Sequence, residues 1–208
     1  MISIPESVGF YWADPTNKAA VNVLADHLPA DRTGIPPDLT LEEAERFEVA
    51  SLAAQRIRVD LWRLLGSIWS ATWATSVLSE FPAARLLTYR GHSEYLGGNW
   101  IPSVKRAWDD GTRYGIFDLP GRGHLVTFVR LTGNDQSLEL GFSLADPNED
   151  WSVSDEVDLG TAWTTDDEGW RVAGSGHIRM AGGGVEIDPS SLAALCQSAL
   201  AALKSALA

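Results

Sequence analysis

The sequence predicts an α+β fold in which helices come first, an antiparallel β-meander follows, and one helix closes the chain. Three observations predict it: apolar residues at helical spacing before residue 80, short apolar runs separated by tight turns after residue 112, and an alanine- and leucine-rich end. Short connections favour antiparallel pairing. We expect a single domain over 1–208, mainly helical over 1–110 and mainly sheet over 111–208, with the closing helix packed on the sheet.

The first forty residues predict an extended segment, a helix and a loop. Residues 2–12, which end in Phe10-Tyr11-Trp12, predict a short strand or extended lead-in. Asp14-Pro15 places an N-cap acid before a proline at the first helical position, so a helix is expected to about Leu28. Residues 29–39 contain three prolines and a glycine, which predicts a loop.

The clearest pattern is an apolar seam behind Thr40-Leu41-Glu42-Glu43, a capping box in which Thr40 and Glu43 each serve a free backbone amide. Two alternatives stay open, one helix over 41–80 or two helices that meet at Gly66. One helix of this length would span about 60 Å, which favours a break at Gly66. The same seam is a possible homodimer interface over 47–78. Its members follow three- and four-residue steps that are broken only at Thr75: Phe47, Ala50, Ala54, Ile57, Leu61, Leu64, Ile68, Ala71 and Leu78.

The remaining elements are predicted from local composition. A third helical piece is expected at 83–95 and a short helical turn at 104–108. Asp188-Pro189 then starts the closing helix with an N-cap acid and a proline. Between them, short strands bounded by glycine-containing turns are expected at 113–119, 124–132, 137–145, 161–165, 170–173, 177–180 and 185–187.

The negative charge of the chain is concentrated in residues 131–170, the acidic segment. The net charge is −12, and this segment contains no Lys, Arg or His. Since a phosphate-binding surface needs clustered cations, direct nucleic-acid binding is not expected. Eleven carboxylates lie in the segment: Asp135, Glu139, Asp146, Glu149, Asp150, Asp155, Glu156, Asp158, Asp166, Asp167 and Glu168.

Two interpretations of the acidic segment stay open. It is either a solvated sheet face that aids solubility or a docking surface for a basic protein partner. The second is our hypothesis: a non-enzymatic acidic binding protein that blocks or chaperones a basic partner, comparable in its charge to immunity proteins, antitoxins and phage inhibitors. Tryptophans in the segment act either as exposed interface anchors or as core residues. The predicted contact residues are Asp146, Glu149, Asp150, Trp151, Asp155, Glu156, Asp158, Trp163, Asp166, Asp167, Glu168 and Trp170.

Catalytic motifs are absent from the sequence. It has no phosphate loop, no G-x-S-x-G elbow and no H-E-x-x-H, and no cofactor is expected. A repeated G-x-G-H-[LI] motif places His124 and His177 at the starts of two predicted strands. With His92 they form a possible zinc set, which gives the alternative hypothesis of a small-molecule-binding or metal-dependent hydrolytic domain. The ordinary interpretation is that the glycines mark hairpins and each histidine lies at a strand edge.

The sequence also predicts the compartment. The N-terminus lacks a basic start followed by an apolar run, and no segment has the roughly 20 mainly apolar residues of a membrane span. Cys196 is the single cysteine, so an internal disulfide is impossible. We therefore expect a cytoplasmic protein with no membrane segment.

Overall fold

The structure is a computed structural model that describes residues 1–25, 39–88, 112–131, 138–145, 157–167, 169–174 and 186–208. The chain divides into two compact units. The described residues of Met1–Ile2, Leu65–Arg179 and Ile187–Ala208 belong to the larger unit, and those of Ser3–Leu64 and Met180–Glu186 to the smaller one. That residues 1–208 fold as a single domain stays a prediction.

The chain starts with a short strand and a helix. Strand β1 is Ile2–Ser3 and helix α1 is Glu6–Ala13, so the strand predicted over 2–12 is wrong for most of its length. Val8, Tyr11 and Trp12 are buried. Their spacing of three and four residues is that of one helical face, and it outweighs the strand preference of the aromatic residues.

Helix α2, Pro15–Ala25, starts where the sequence predicts. The Asp14 carboxylate accepts a hydrogen bond from the backbone amide of Thr16 at 2.7 Å, and this bond lowers the pKa of Asp14. In the smaller unit, Ser51 Oγ donates to the Leu24 carbonyl at 2.6 Å. The predicted end of the helix near Leu28 lies outside the described residues.

Helix α3, Leu41–Trp69, starts with the predicted capping box. The Glu43 amide donates to Thr40 Oγ1 at 3.4 Å, and the Thr40 amide donates to Glu43 Oε2 at 2.9 Å. The side-chain and backbone hydrogen bonds from Thr40 lower the pKa of Glu43. The preferred break at Gly66 is wrong, because α3 passes through it. The irregularity follows at the π-helical segment Ser70–Ala74, after which helix α4 is Thr75–Glu80.

The apolar seam is partly buried in the single chain. Leu61, Leu64 and Ile68 are at most 4% exposed, whereas Leu78 is 50% exposed. The central seam residues are therefore already covered without a second copy. The homodimer stays a prediction.

The larger unit contains a six-stranded antiparallel sheet with strand order β2-β3-β4-β5-β7-β6, which confirms the predicted α+β class. The neighbours β3, β4 and β5 are consecutive in the chain, as a meander requires. The strands are β2 Arg85–Thr88, β3 Thr112–Leu119, β4 Gly123–Leu131, β5 Leu138–Ala145, β6 Thr164–Thr165 and β7 Arg171–Gly174.

Strand β2 corrects the helix predicted over 83–95. Phe81 and Pro82 end the helical run, and Leu86 then pairs with Phe117 of β3. Alanine, arginine and leucine favour helices, but pairing at the sheet edge overrides this weak preference. The rest of the predicted helix, the turn at 104–108 and the strand at 177–180 lie outside the described residues.

The closing helix α5, Pro189–Ala206, starts as predicted, with Asp188 accepting from the Ser190 amide at 2.9 Å. It packs against the π-helical segment and α4. Cys196 is fully buried, and burial raises the pKa of its thiol, so the thiolate form is disfavoured. Strand β8, Glu186–Ile187, pairs with β1. Among the described helices, none has the length and apolar character needed to cross a membrane.

Candidate functional site: the acidic hairpin

The described part of the acidic segment lies mainly in one hairpin. We call the described residues of 157–174 the acidic hairpin; they comprise strands β6 and β7, the turn that joins these strands and the residues that precede β6, and β6 is an edge strand of the sheet. It contains five of the predicted contact residues: Asp158, Trp163, Asp166, Asp167 and Trp170. The others lie outside the described residues: Asp146, Glu149, Asp150, Trp151, Asp155, Glu156 and Glu168.

The turn of the acidic hairpin has the predicted glycine geometry. Gly169 has φ of 83°, in the left-handed region that glycine adopts without strain. Its amide donates to the Asp166 carbonyl at 3.0 Å, and the Asp166 amide donates to the Trp170 carbonyl at 2.9 Å. The Asp166 side chain accepts from the Trp170 amide at 2.9 Å. Asp166 therefore holds the turn as well as carrying charge.

Trp163 and Trp170 are core residues, so their interpretation as exposed interface anchors is wrong. Trp163 is 6% exposed and Trp170 is 8% exposed. A side chain buried to this degree has little surface left to offer a partner. The alternative interpretation, that both face the core from the strands, is the one that the burial confirms.

The two tryptophans lie on opposite faces of the sheet. Trp170 packs edge-on against Phe128 with ring centroids 5.3 Å apart, and Trp163 packs edge-on against Phe142, also at 5.3 Å. Phe142 pairs with Thr127, the neighbour of Phe128, so Phe128 and Phe142 point to opposite faces. The acidic hairpin is therefore held from both sides by aromatic packing.

Arg130 ties the hairpin to the neighbouring strands through two carboxylates. Its Nη2 donates to Glu139 Oε1 at 2.9 Å and to Asp166 Oδ2 at 3.3 Å, and its Nε donates to Glu139 Oε2 at 3.3 Å. The guanidinium carbon lies 5.0 Å from the centroid of the Phe128 ring. Partial burial acts to lower the pKa of Arg130, but the hydrogen bonds and charges of Glu139 and Asp166 outweigh it, and the pKa is raised.

Replacing Arg130 with methionine is expected to reduce the free energy of unfolding by roughly 1–3 kcal/mol, because two largely buried carboxylates then face each other without a cation. The side chains of Glu139 and Asp166 are only 12% and 19% exposed. Urea unfolding followed by circular dichroism measures the change.

The Arg85–Asp118 pair of the same sheet supplies a matched control. Arg85 is 74% exposed, so Arg85→Met is expected to cost roughly 0–1 kcal/mol. Equal losses in the Arg130 and Arg85 variants would show that the Arg130 network does not hold the hairpin.

The carboxylates of the described segment thus fall into two groups. Glu139 and Asp166 are engaged by Arg130, whereas Asp158 and Asp167 are exposed. Asp158 Oδ1 accepts from the Gly160 amide at 2.9 Å, which fixes its backbone turn. Sequence reasoning missed Arg130 because it lies one residue before the acidic segment. Only the β4–β5 register, which places Arg130 opposite Glu139, reveals the pair.

The histidine hypothesis gains no support from the described residues. His124 lies on β4 between Asp118 of β3 and Ala145 of β5, and it is partly buried. His92 and His177 lie outside the described residues. Within the part of the chain that is described, no group of three or more His, Cys, Asp or Glu residues could hold a metal ion.

No protein-family model, curated protein or solved structure matches this chain. A function must therefore be inferred from the charges and geometry of the acidic hairpin.

Proposed function

We propose that this protein is a non-enzymatic acidic binding protein that docks on a basic surface of a partner protein through its acidic segment. The observation that carries the proposal is the charge of that segment, which has eleven carboxylates and no cation within forty residues. Carboxylates packed this densely repel one another, and a cationic surface that covers them relieves the repulsion and accelerates association.

The geometry of the acidic hairpin supports this proposal. Its turn is fixed by Trp163 and Trp170 on opposite faces and by Arg130, while Asp158 and Asp167 stay exposed. A rigid surface loses little conformational entropy when it binds, so more of the electrostatic attraction remains as affinity. Buried tryptophans serve binding here by holding the carboxylates in place.

Inhibition is the activity that such a surface favours. An acidic surface that covers the basic groups of its partner prevents those groups from binding nucleic acid or another anion. The comparison with immunity proteins, antitoxins and phage inhibitors is part of the proposal and concerns charge alone. A cytoplasmic location is also part of the proposal. It is consistent with a chain that has one buried cysteine and cannot form an internal disulfide.

The test is a charge-neutralised variant with a matched control. A partner is first captured from the source cell by the wild-type protein and identified, and its dissociation constant is measured. The double variant Asp158→Asn, Asp167→Asn is expected to bind it about three- to tenfold more weakly. The control Glu6→Gln, Glu45→Gln removes the same charge from exposed residues outside the segment and is expected to bind as the wild type does.

Salt dependence provides the second measurement. Raising the salt concentration from about 50 to about 300 mM is expected to weaken wild-type binding strongly. The reason is that the Debye length, over which exposed charges interact, shortens as the salt concentration rises. A dissociation constant that is unchanged over this range would overturn the proposal. Equal weakening in the two double variants would show that the acidic hairpin is not the docking surface.

A further inference from the structure

A cavity of about 300 Å³ lies within the larger unit, and none of its lining residues belongs to the acidic hairpin. Its walls come from the last residue of α4 and the four residues after it, from the end of β3 and the β3–β4 turn, and from Lys204 of α5. This volume is at the lower end of those that enclose small organic ligands. The chemistry of its walls decides which ligand it accepts.

One part of the wall is apolar and conformationally fixed. Phe81, Pro82, Leu119 and Pro120 supply carbon surface, and Leu119 is only 2% exposed. The Phe81 amide donates to the Val77 carbonyl at 2.8 Å, and its own carbonyl accepts from the Ala84 amide at 2.9 Å. These bonds hold the wall in one conformation, so a ligand does not need to order it.

Two cations and one carboxylate line the same cavity. Arg122 lies between Gly121 and Gly123, both with positive φ, and its amide donates to the Leu119 carbonyl at 2.9 Å. Within the described residues no carboxylate pairs with Arg122. Lys204 Nζ lies 3.5 Å from Glu80 Oε2, and the Lys204 side chain is 49% exposed. The Glu80 side chain is 27% exposed. A partly exposed pair at this distance is weak, so Lys204 keeps much of its capacity to bind an anion.

We propose that this cavity binds a small organic anion that joins a carboxylate to an apolar group. The lining carries one more positive than negative charge, although the whole chain carries −12. The ligand carboxylate binds Arg122 and Lys204, and its apolar part lies on the proline and phenylalanine wall. A ligand of about ten heavy atoms is expected to bind with a dissociation constant on the order of a millimolar.

Phenylacetate is a suitable probe, because it combines a ring with a carboxylate. It is titrated into the full chain, and amide shifts are followed by nuclear magnetic resonance. Amide shifts are expected near Lys204 and at the non-proline residues of 80–84 and 119–122. Phenylacetamide, which is neutral, and phenethylamine, which is cationic, are expected to bind at least about fivefold more weakly, since each lacks the anionic group.

Substitutions of three charged lining residues distinguish ligand recognition from loss of structure, because two are expected to weaken phenylacetate binding and one to strengthen it. Arg122→Gln and Lys204→Gln are each expected to weaken phenylacetate binding about three- to tenfold. Glu80→Gln is expected to strengthen it about two- to fivefold, because it removes a repelling carboxylate and frees Lys204. The control is Arg56→Gln, which removes one positive charge from an exposed residue of α3 outside the cavity. It is expected to leave phenylacetate binding unchanged. Circular dichroism confirms that each variant is folded.

Three results would overturn the inference: equal binding of phenylacetate and phenylacetamide, weaker phenylacetate binding in Glu80→Gln, or a phenylacetate response confined to residues outside the cavity. The cavity and the acidic hairpin use different residues, so failure of this test leaves the proposed partner binding unaffected.

Discussion

Substituting alanine for Trp73 is expected to reduce the free energy of unfolding of the larger unit by about 3–5 kcal/mol. Trp73 is fully buried, and its ring lies 5.5 Å from Phe142 and 6.0 Å from Trp163. Its Nε1 donates to the Phe128 carbonyl at 2.9 Å. The substitution leaves a large cavity and a buried carbonyl without its donor, and both effects destabilise the fold.

The Trp73→Phe variant keeps an aromatic ring, so it leaves a smaller cavity than the alanine variant, although it also removes the N–H donor. A loss of about 1–2 kcal/mol is therefore expected, less than that of the alanine variant. Unfolding in urea is followed by far-ultraviolet circular dichroism, since tryptophan fluorescence changes with the substitution itself. A loss below about 1 kcal/mol for Trp73→Ala would contradict the packing described here.

The consequence of Trp73→Ala reaches the candidate site. Trp73 packs on Trp163, which holds one face of the acidic hairpin. Loss of that support is expected to loosen the hairpin before the rest of the sheet unfolds. Amide hydrogen exchange, compared with the wild type, is expected to accelerate more at residues 164–167 than at β4. Partner binding is expected to weaken with it, because the exposed carboxylates are no longer held in one arrangement.

Local signals in the sequence predicted much of the fold. The capping box at Thr40 fixed the start of α3, and Asp188-Pro189 fixed the start of α5, because each motif satisfies backbone amides at the place where it occurs. Tight turns predicted the antiparallel meander, and Gly169 adopts the positive φ expected at the hairpin turn. These features depend on residues that are neighbours in the chain.

Features that depend on distant residues could not be predicted in this way. Gly66 weakens a helix by local propensity, yet α3 continues through it and the helix becomes irregular only at Ser70–Ala74. That irregular segment contains no proline or glycine, so the sequence gives no local signal for it. Strand β2 likewise depends on pairing with β3, which outweighs the helical preference of its residues.

The candidate site was predicted in its charge but not in its construction. The concentration of carboxylates is a property of the sequence alone. The roles of Trp163, Trp170 and Arg130 required the register of the sheet, which decides the face on which each side chain lies. An aromatic residue within an acidic stretch has the same sequence pattern whether it anchors the stretch from the core or contacts a partner.

Substituting alanine for Gly115 is expected to reduce the free energy of unfolding by about 3 kcal/mol, at the upper end of the usual cost of overpacking a core. A Cβ atom at Gly115 would overlap the Cζ2, Cε2 and Cη2 atoms of the Trp69 ring. Trp69 is 1% exposed and stacks on Phe117 with centroids 5.7 Å apart, so its ring has little room to move.

A hydrogen-bond chain further limits relaxation around Gly115. Trp69 Nε1 donates to Thr127 Oγ1 at 2.9 Å, and the Thr127 hydroxyl donates to the Gly115 carbonyl at 3.2 Å. Displacing the indole to admit a methyl group therefore stretches a buried hydrogen bond as well as the ring stack. Both costs act in the same direction, and urea unfolding measures their sum.

Gly174→Ala is the matched control, since it lies in the same sheet and a Cβ there meets no atom within 4 Å. A change of less than about 1 kcal/mol is expected for it. Combining Gly115→Ala with Trp69→Phe tests the cause, because the smaller ring leaves room for the methyl group. The double variant is expected to be about 1–2 kcal/mol more stable than the sum of the single losses implies. Strict additivity would show that the Trp69 ring is not what requires glycine at residue 115.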